Sequence, residues 1–209
     1  GSMEALRAAV QNGANAVYLG CGQFNARQSA KNFTPQTLTE AVKYCHIRGV
    51  QVHLTVNTLV SDQEMAELSE LLRHAARSGV DAFIVQDWHV LELCRQIAPE
   101  VAIHGSTQMT VHNLEGVRKM AELGFTRVVL ARELNMEQVA SIYKDIVEQD
   151  IRGPHGELIR IEMFCHGALC MAVSGKCYLS LHELNSSANR GACMQVCRRA
   201  YRVHDEDSD

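Results

Sequence analysis

Eight cysteines occur in the chain, and five of them, Cys165, Cys170, Cys177, Cys193 and Cys197, fall in one stretch. Cys170 and Cys177 are separated by six residues that include the turn signal Ser174-Gly175. Cys193 and Cys197 are separated by three, after the loop NSSANRGA. This is neither the paired CxxC knuckles of a zinc ribbon nor the CxxCxxC run of ferredoxins. Two irregular loops can still deliver four thiolates to one centre, and thiolate is the soft donor that selects zinc or iron–sulfur. Cys170, Cys177, Cys193 and Cys197 are therefore expected to be metal ligands. Cys21, Cys45 and Cys94 lie in or beside apolar segments and read instead as small buried hydrophobes.

The same stretch is basic. Lys176, Arg190, Arg198, Arg199 and Arg202 stand against a single acid, Glu183, and Tyr178 and Tyr201 interleave with them. Such a surface is compatible with RNA, and equally with a solvated face balanced by other parts of the fold. An acidic tail, DEDSD (205–209), follows.

A second set of polar residues recurs at the ends of apolar runs: Asn57, Gln86 with Asp87, His104 with Ser106, Thr107 and Gln108, Arg132 with Glu133, and His166. Asn25 and Arg27 follow the first such run. Glu133 beside Arg132 suits a general acid/base or a structural ion pair, and His104 and His166 could carry protons. Asn57 and Asp87 complete the expected catalytic rim, with Arg27, Ser106, Gln108, Arg190, Arg198 and Arg199 as substrate contacts. Cys165 and His166 are not a dyad by adjacency, because neighbours on a strand face opposite ways. No GxSxG elbow or HExxH helix is present.

The elements that must position these groups repeat one pattern: amphipathic helix, glycine, short apolar strand. EALRAAVQNGANAVYLG, TEAVKYCHIRGVQVHLTVN, LLRHAARSGVDAFIVQD and VRKMAELGFTRVVLARE are its copies, with Gly13, Gly49, Gly79 and Gly124 just past each helix. Six strands are expected, at 15–20, 50–57, 81–87, 101–106, 126–132 and 159–165, with further helices at 88–98 and 136–149. Nearly continuous apolar strands alternating with helices mean a parallel sheet with right-handed crossovers. A doubly wound open sheet and a (β/α)8 barrel compete. The first strand is followed by no glycine-rich phosphate loop, which disfavours the open sheet. We expect an α/β, TIM-like barrel over 1–167, truncated so that its first and last strands are missing, since a whole barrel takes about 250 residues. The Cys-rich segment, 168–209, is expected to continue the same domain. In such a barrel the polar strand ends form one rim, which is where activity sits.

Composition restricts little further. The 209 residues are 46% hydrophobic and 21% charged, with a formal charge of −4, ordinary for a globular protein. No apolar run approaches the roughly 20 residues of a membrane span. Clustered thiols without a secretion signal suggest the cytoplasm rather than a disulfide framework.

EMFCHGALCMAVSGKCYLS (162–180) resembles the signature of peptidase family U32, the collagenase-like family. Glu162, Phe164, Gly167, Ala168, Leu169, Cys170, Gly175, Cys177, Leu179 and Ser180 occupy its fixed positions. ANRGACMQVCRRAY, EALRAAVQNGANAVYLG, HGSTQMTVHN and VVLARELN look like further family blocks. The name implies proteolysis of collagen-like or unfolded polypeptide. Other members are oxygen-independent hydroxylation proteins that modify a pyrimidine of transfer or ribosomal RNA, with prephenate implicated as donor, or that act in ubiquinone synthesis. The resemblance implies a 4Fe-4S cluster on Cys170, Cys177 and Cys193, with Cys197 or a residue further on as fourth ligand. The ANRG loop and CRRAY favour the RNA branch. A structural zinc site on a partner-binding scaffold is the remaining alternative.

Overall fold

The computed structural model describes residues 1–202; the acidic tail lies outside them. Six β/α units follow one another. They are α1 (Met3–Gln11), β1 (Ala16–Gly20), α2 (Pro35–His46), β2 (Gln51–Val56), α3 (Met65–Ser78) and β3 (Ala82–Val85). Then come α4 (Trp88–Ile97), β4 (Ala102–Gly105), α5 (Leu114–Glu122), β5 (Arg127–Val129), α6 (Met136–Glu148), β6 (Arg160–Glu162) and a short α7 (Leu179–Leu184). The helices start where side chains can satisfy free amides. Asp87 caps α4, Asn113 caps α5, and Thr34 and Asn135 form capping boxes on α2 and α6. Gly79 ends α3 at φ 86°, a left-handed turn that Cβ-bearing residues resist. Glycines 13, 49 and 124 play the same part.

The strand order is β1-β2-β3-β4-β5-β6 and every pairing is parallel. A doubly wound sheet must reverse its strand order at a switch point. This one never reverses. It curls as part of a TIM-like barrel, with helices on its outer face. Alternation along each strand separates two environments. Leu19, Leu54, Phe83 and Ile103 lie in one register row and pack, with Leu38, Leu68 and Leu72, into the core between sheet and helices. Each fully buried side chain of this size contributes about 1.5–3 kcal/mol by leaving water.

The alternate residues face inward, and beside Ala82, Ile84 and Val129 this lining carries polar groups: His53 and Thr55 on β2, His104 on β4, Arg127 on β5, Arg160 and Glu162 on β6. The expected strands are correctly placed but too long. The last, expected over 159–165, spans only Arg160–Glu162 because β5 stops at Val129 and offers no ladder beyond. Met163 to His166 consequently leave the sheet as an exposed loop.

Candidate active site at the barrel mouth

The carboxyl ends of the strands are joined by a chain of hydrogen bonds. Asn57, just past β2, accepts the Ala26 amide at 3.1 Å and donates to Ser106 Oγ at 3.4 Å. Ser106, just past β4, also accepts the Gln108 amide at 3.3 Å. Asn25 is buried and shapes the first loop, accepting from the Arg27 amide at 3.0 Å, while the Arg27 side chain stays exposed. Thus three expected rim residues, Asn57, Ser106 and Gln108, do come together. Two others are spent elsewhere. Asp87 accepts the amides of His89 (2.8 Å), Val90 and Val60, so its carboxylate is a helix cap. His166 is exposed on the loop after β6 and touches no rim residue through a hydrogen bond.

His104 is not at the rim. It lies on the inner face of β4, 5% exposed, edge-on to His53 with ring centroids 4.7 Å apart. Burial, then the neighbouring His53, Arg127 and Arg160, push its pKa down to about 3. Near neutral pH it is therefore an uncharged imidazole held on the inner face of the sheet rather than at the rim where it was expected.

Glu133 makes the strongest contacts at the mouth. It accepts both the amide and the hydroxyl of Ser174, each at 2.7 Å, and His112 Nε2 lies 3.8 Å away. Partial desolvation alone would raise its pKa. The bonds from Ser174, its own amide and the charge of Arg132 outweigh that and leave it below the ordinary carboxylate value. An ionised, doubly occupied carboxylate is a clamp rather than a general acid. Ser174 is fully buried at φ 45°, ψ 33°, a conformation disfavoured for a residue with a Cβ. Glu133 holds it there, and Gly175 lies directly against the Gln108 side chain. The thiol segment is in this way fastened across the mouth.

Beyond Ser174 the segment is stitched to itself near each cysteine. The Cys177 amide donates to Asn189 Oδ1 (3.1 Å), the Met194 amide to Ser180 Oγ (3.1 Å), and Arg198 to the Leu169 carbonyl (3.1 Å). Asn189 also ties this assembly to the loop after β2, its carbonyl accepting the Leu59 amide at 3.1 Å. Cys170, Cys177 and Cys193 are half-buried and Cys197 is exposed, all four free thiols. The Leu179 amide points at Cys177 Sγ, 3.4 Å away. Among the described residues no three His, Cys, Asp or Glu side chains close on a single metal ion. Four soft thiols are a donor set that suits an iron–sulfur cluster or zinc. Cys21, Cys45 and Cys94 are buried, as small hydrophobes should be.

The basic residues divide. Arg190 donates to both Glu64 oxygens (2.8 and 2.9 Å) and is neutralised. The Ser61 hydroxyl and amide, followed by Arg190, hold Glu64 down at about 2. Arg190 is therefore a fastening between the thiol segment and the turn that leads into α3, not the substrate contact expected. Arg198 is committed to Leu169. Arg199 is exposed and makes no side-chain hydrogen bond or ion pair among the described residues.

Ser174, Asn189, Glu64 and His53 were not singled out from sequence. Ser174-Gly175 and ANRG are visible there only as turn signals, and nothing local shows that Glu64 and Arg190, 126 positions apart, would meet.

Comparison with known proteins is consistent across the chain. The family profile described as Peptidase family U32 matches residues 1–209. A protein named collagenase from Porphyromonas gingivalis (strain ATCC BAA-308 / W83) is 49% identical over the whole chain, which covers 50% of that protein. The 23S rRNA 5-hydroxycytidine C2501 synthase of Escherichia coli (strain K12) is 38% identical over 96% of the chain and 28% of its own length. The tRNA hydroxylation protein P1 of Bacillus subtilis (strain 168) is 36% identical over 99% of the chain and 46% of its own length. The chain thus spans half or less of the length of these relatives. Among solved structures, the U32 peptidase Mk0906 matches with TM-score 0.58 at 13% identity, over 81% of this chain and 91% of that one. At that identity it supports the fold alone.

Proposed function

The chain belongs to peptidase family U32, and from that premise we propose that it is the barrel and thiol-bearing part of a cytoplasmic, oxygen-independent enzyme that hydroxylates a pyrimidine base of transfer or ribosomal RNA. The observation that carries this reading is the thiol segment itself. It is clamped over the barrel mouth by Glu133 and stitched together beside Cys170, Cys177, Cys193 and Cys197. These four would hold a 4Fe-4S cluster, which when bound supplies redox chemistry next to the substrate. The oxygen donor would be prephenate-derived, as the family resemblance implies.

The chain's own residues have separable tasks. Asn189 and Glu133 position the ligand loops. Asn57 and Ser106 hold the loops after β1, β2 and β4 in one hydrogen-bonded chain. Arg199 and Lys176 offer positive charge to a phosphate backbone, while Arg190 is already spent. A base within folded RNA must leave its stack to reach such a mouth.

Two relatives named for rRNA and tRNA hydroxylation align with nearly the whole chain and support the RNA substrate. The 49% identical protein named collagenase supports a second reading, a peptidase acting on unfolded polypeptide. That reading needs a nucleophile paired with a base, or an activated water. Among the described residues no cysteine is hydrogen-bonded to a histidine.

Anaerobic purification or reconstitution, with iron and sulfide assays, separates these readings. We expect about four iron and four sulfide per chain, lost in Cys170→Ala and Cys177→Ala. A colourless protein that carries one zinc, or metal content indifferent to Cys170→Ala, would refute the redox reading. Cleavage of denatured collagen by the purified chain would favour the peptidase.

A further inference from the structure

We propose that the cavity between the carboxyl ends of β3 and β4 and the thiol segment receives a single unstacked nucleobase with its phosphate. This rests on the RNA reading above and says where the base sits. The cavity measures about 520 Å³, within the roughly 300–1,000 Å³ usual for small-molecule sites. Trp88, on the first turn of α4, is 57% exposed and presents a flat apolar ring at its wall. Bases stack on such rings whatever their identity.

Gln86 and Gln108, two carboxamide residues, are also among the residues that line the cavity. Each offers an acceptor beside a donor, the combination that the hydrogen-bonding edge of a base presents in reverse. Gln108 carries the decisive observation. It is 8% exposed, and its Oε1 has no hydrogen-bond partner. A buried carbonyl oxygen left unpaired is costly; Oε1 is sealed from solvent, so a turn of the carboxamide toward the cavity is what lets a ligand N–H remove that cost. The exocyclic amine of cytosine or the ring N–H of uracil is such a donor.

Charge completes the match. Asp87 is the one carboxylate in the lining, and its oxygens are taken by backbone amides. Lys119 is paired with Glu122, and His112 faces Glu133. Lys176 has no ion-pair partner among the described residues and is the cation left for a phosphate. It immediately precedes Cys177 in the chain, one of the thiols that the redox reading employs.

Trp88 is the only tryptophan in the chain, so its fluorescence reports this wall directly. Titration with cytidine 5′-monophosphate should quench it saturably, and inorganic phosphate alone should not. Gln108→Met, nearly isosteric, and Lys176→Ala, at the surface, should each weaken nucleotide binding by roughly tenfold without lowering the melting temperature appreciably. Trp88→Ala should weaken binding of a labelled single-stranded pyrimidine oligonucleotide, followed by anisotropy, by roughly tenfold. Oligonucleotide binding that leaves Trp88 emission unchanged, and is indifferent to all three substitutions, overturns the cavity assignment while the RNA reading stands. Quenching by the nucleotide with no oligonucleotide binding keeps the cavity and refutes RNA. Neither binding overturns both.

Discussion

Replacing Glu133 with alanine removes both bonds that hold Ser174 in its left-handed conformation. Hydrogen bonds to a charged group are worth about 1.5–3 kcal/mol each when sheltered. The Glu133 side chain is 38% exposed, so water replaces part of that, and about 2 kcal/mol for the pair is a reasonable sum. The strain at Ser174, about 1–2 kcal/mol for a residue with a Cβ, then favours release of the loop. A change of about 2 kcal/mol raises the local opening equilibrium about 30-fold. Amide hydrogen exchange read by mass spectrometry over residues 168–180 measures this directly, with a urea titration to show that global stability has moved less.

Glu133→Gln, which keeps the shape and one acceptor, should fall between wild type and alanine. Because the folded pKa of Glu133 lies below its ordinary 4.5, its contribution is complete above that value. It is lost as pH falls through the lower folded pKa, so wild-type exchange should approach that of the alanine variant only in acid. If residues 168–180 exchange at the same rate in Glu133→Ala as in wild type at neutral pH, the clamp does not hold the thiol segment and the reasoning fails.

The buried His104 gives a second acid dependence of the same sign, which sets in at higher pH. Its pKa is about 3 in the folded chain against an ordinary 6.5, so the unfolded chain binds more protons between those values and stability must drop as pH falls from 6.5. Urea midpoints at pH 7 and pH 5 should differ accordingly, with the difference reduced in His104→Gln; identical midpoints would show that His104 is not buried neutral. Gly191→Ala should loosen the thiol segment from the first barrel loop. Its φ is 86°, and a Cβ there would run into the Asn25 carbonyl and stand 2.8 Å from the Gln28 side chain. We expect a loss of at least about 1 kcal/mol and faster proteolytic nicking within 180–195; unchanged nicking would show that the segment docks elsewhere.

Much of this molecule is legible from local chemistry. Helix periodicity, the glycines past α1, α2, α3 and α5, and apolar strands at regular spacing are short-range signals, and they place six β/α units correctly. The buried Cys21, Cys45 and Cys94 are distinguishable from the thiol segment for the same reason, since the apolar character of their neighbours announces their surroundings. Strand ends are less legible. Where β6 stops depends on where β5 stops, which is a property of the pair and not of either segment.

What the amino-acid order determined alone is the repeat, the thiol cluster and the charge that accompanies it, because propensity, periodicity and donor softness belong to residues and their near neighbours. Only the tertiary structure decided what the polar residues do. It set His104 edge-on against His53, committed Arg190 to Glu64, and made Glu133 the fastening for Ser174. A carboxylate or an imidazole has no role until its partner and its exposure to water are set, and here those partners lie tens of residues away along the chain.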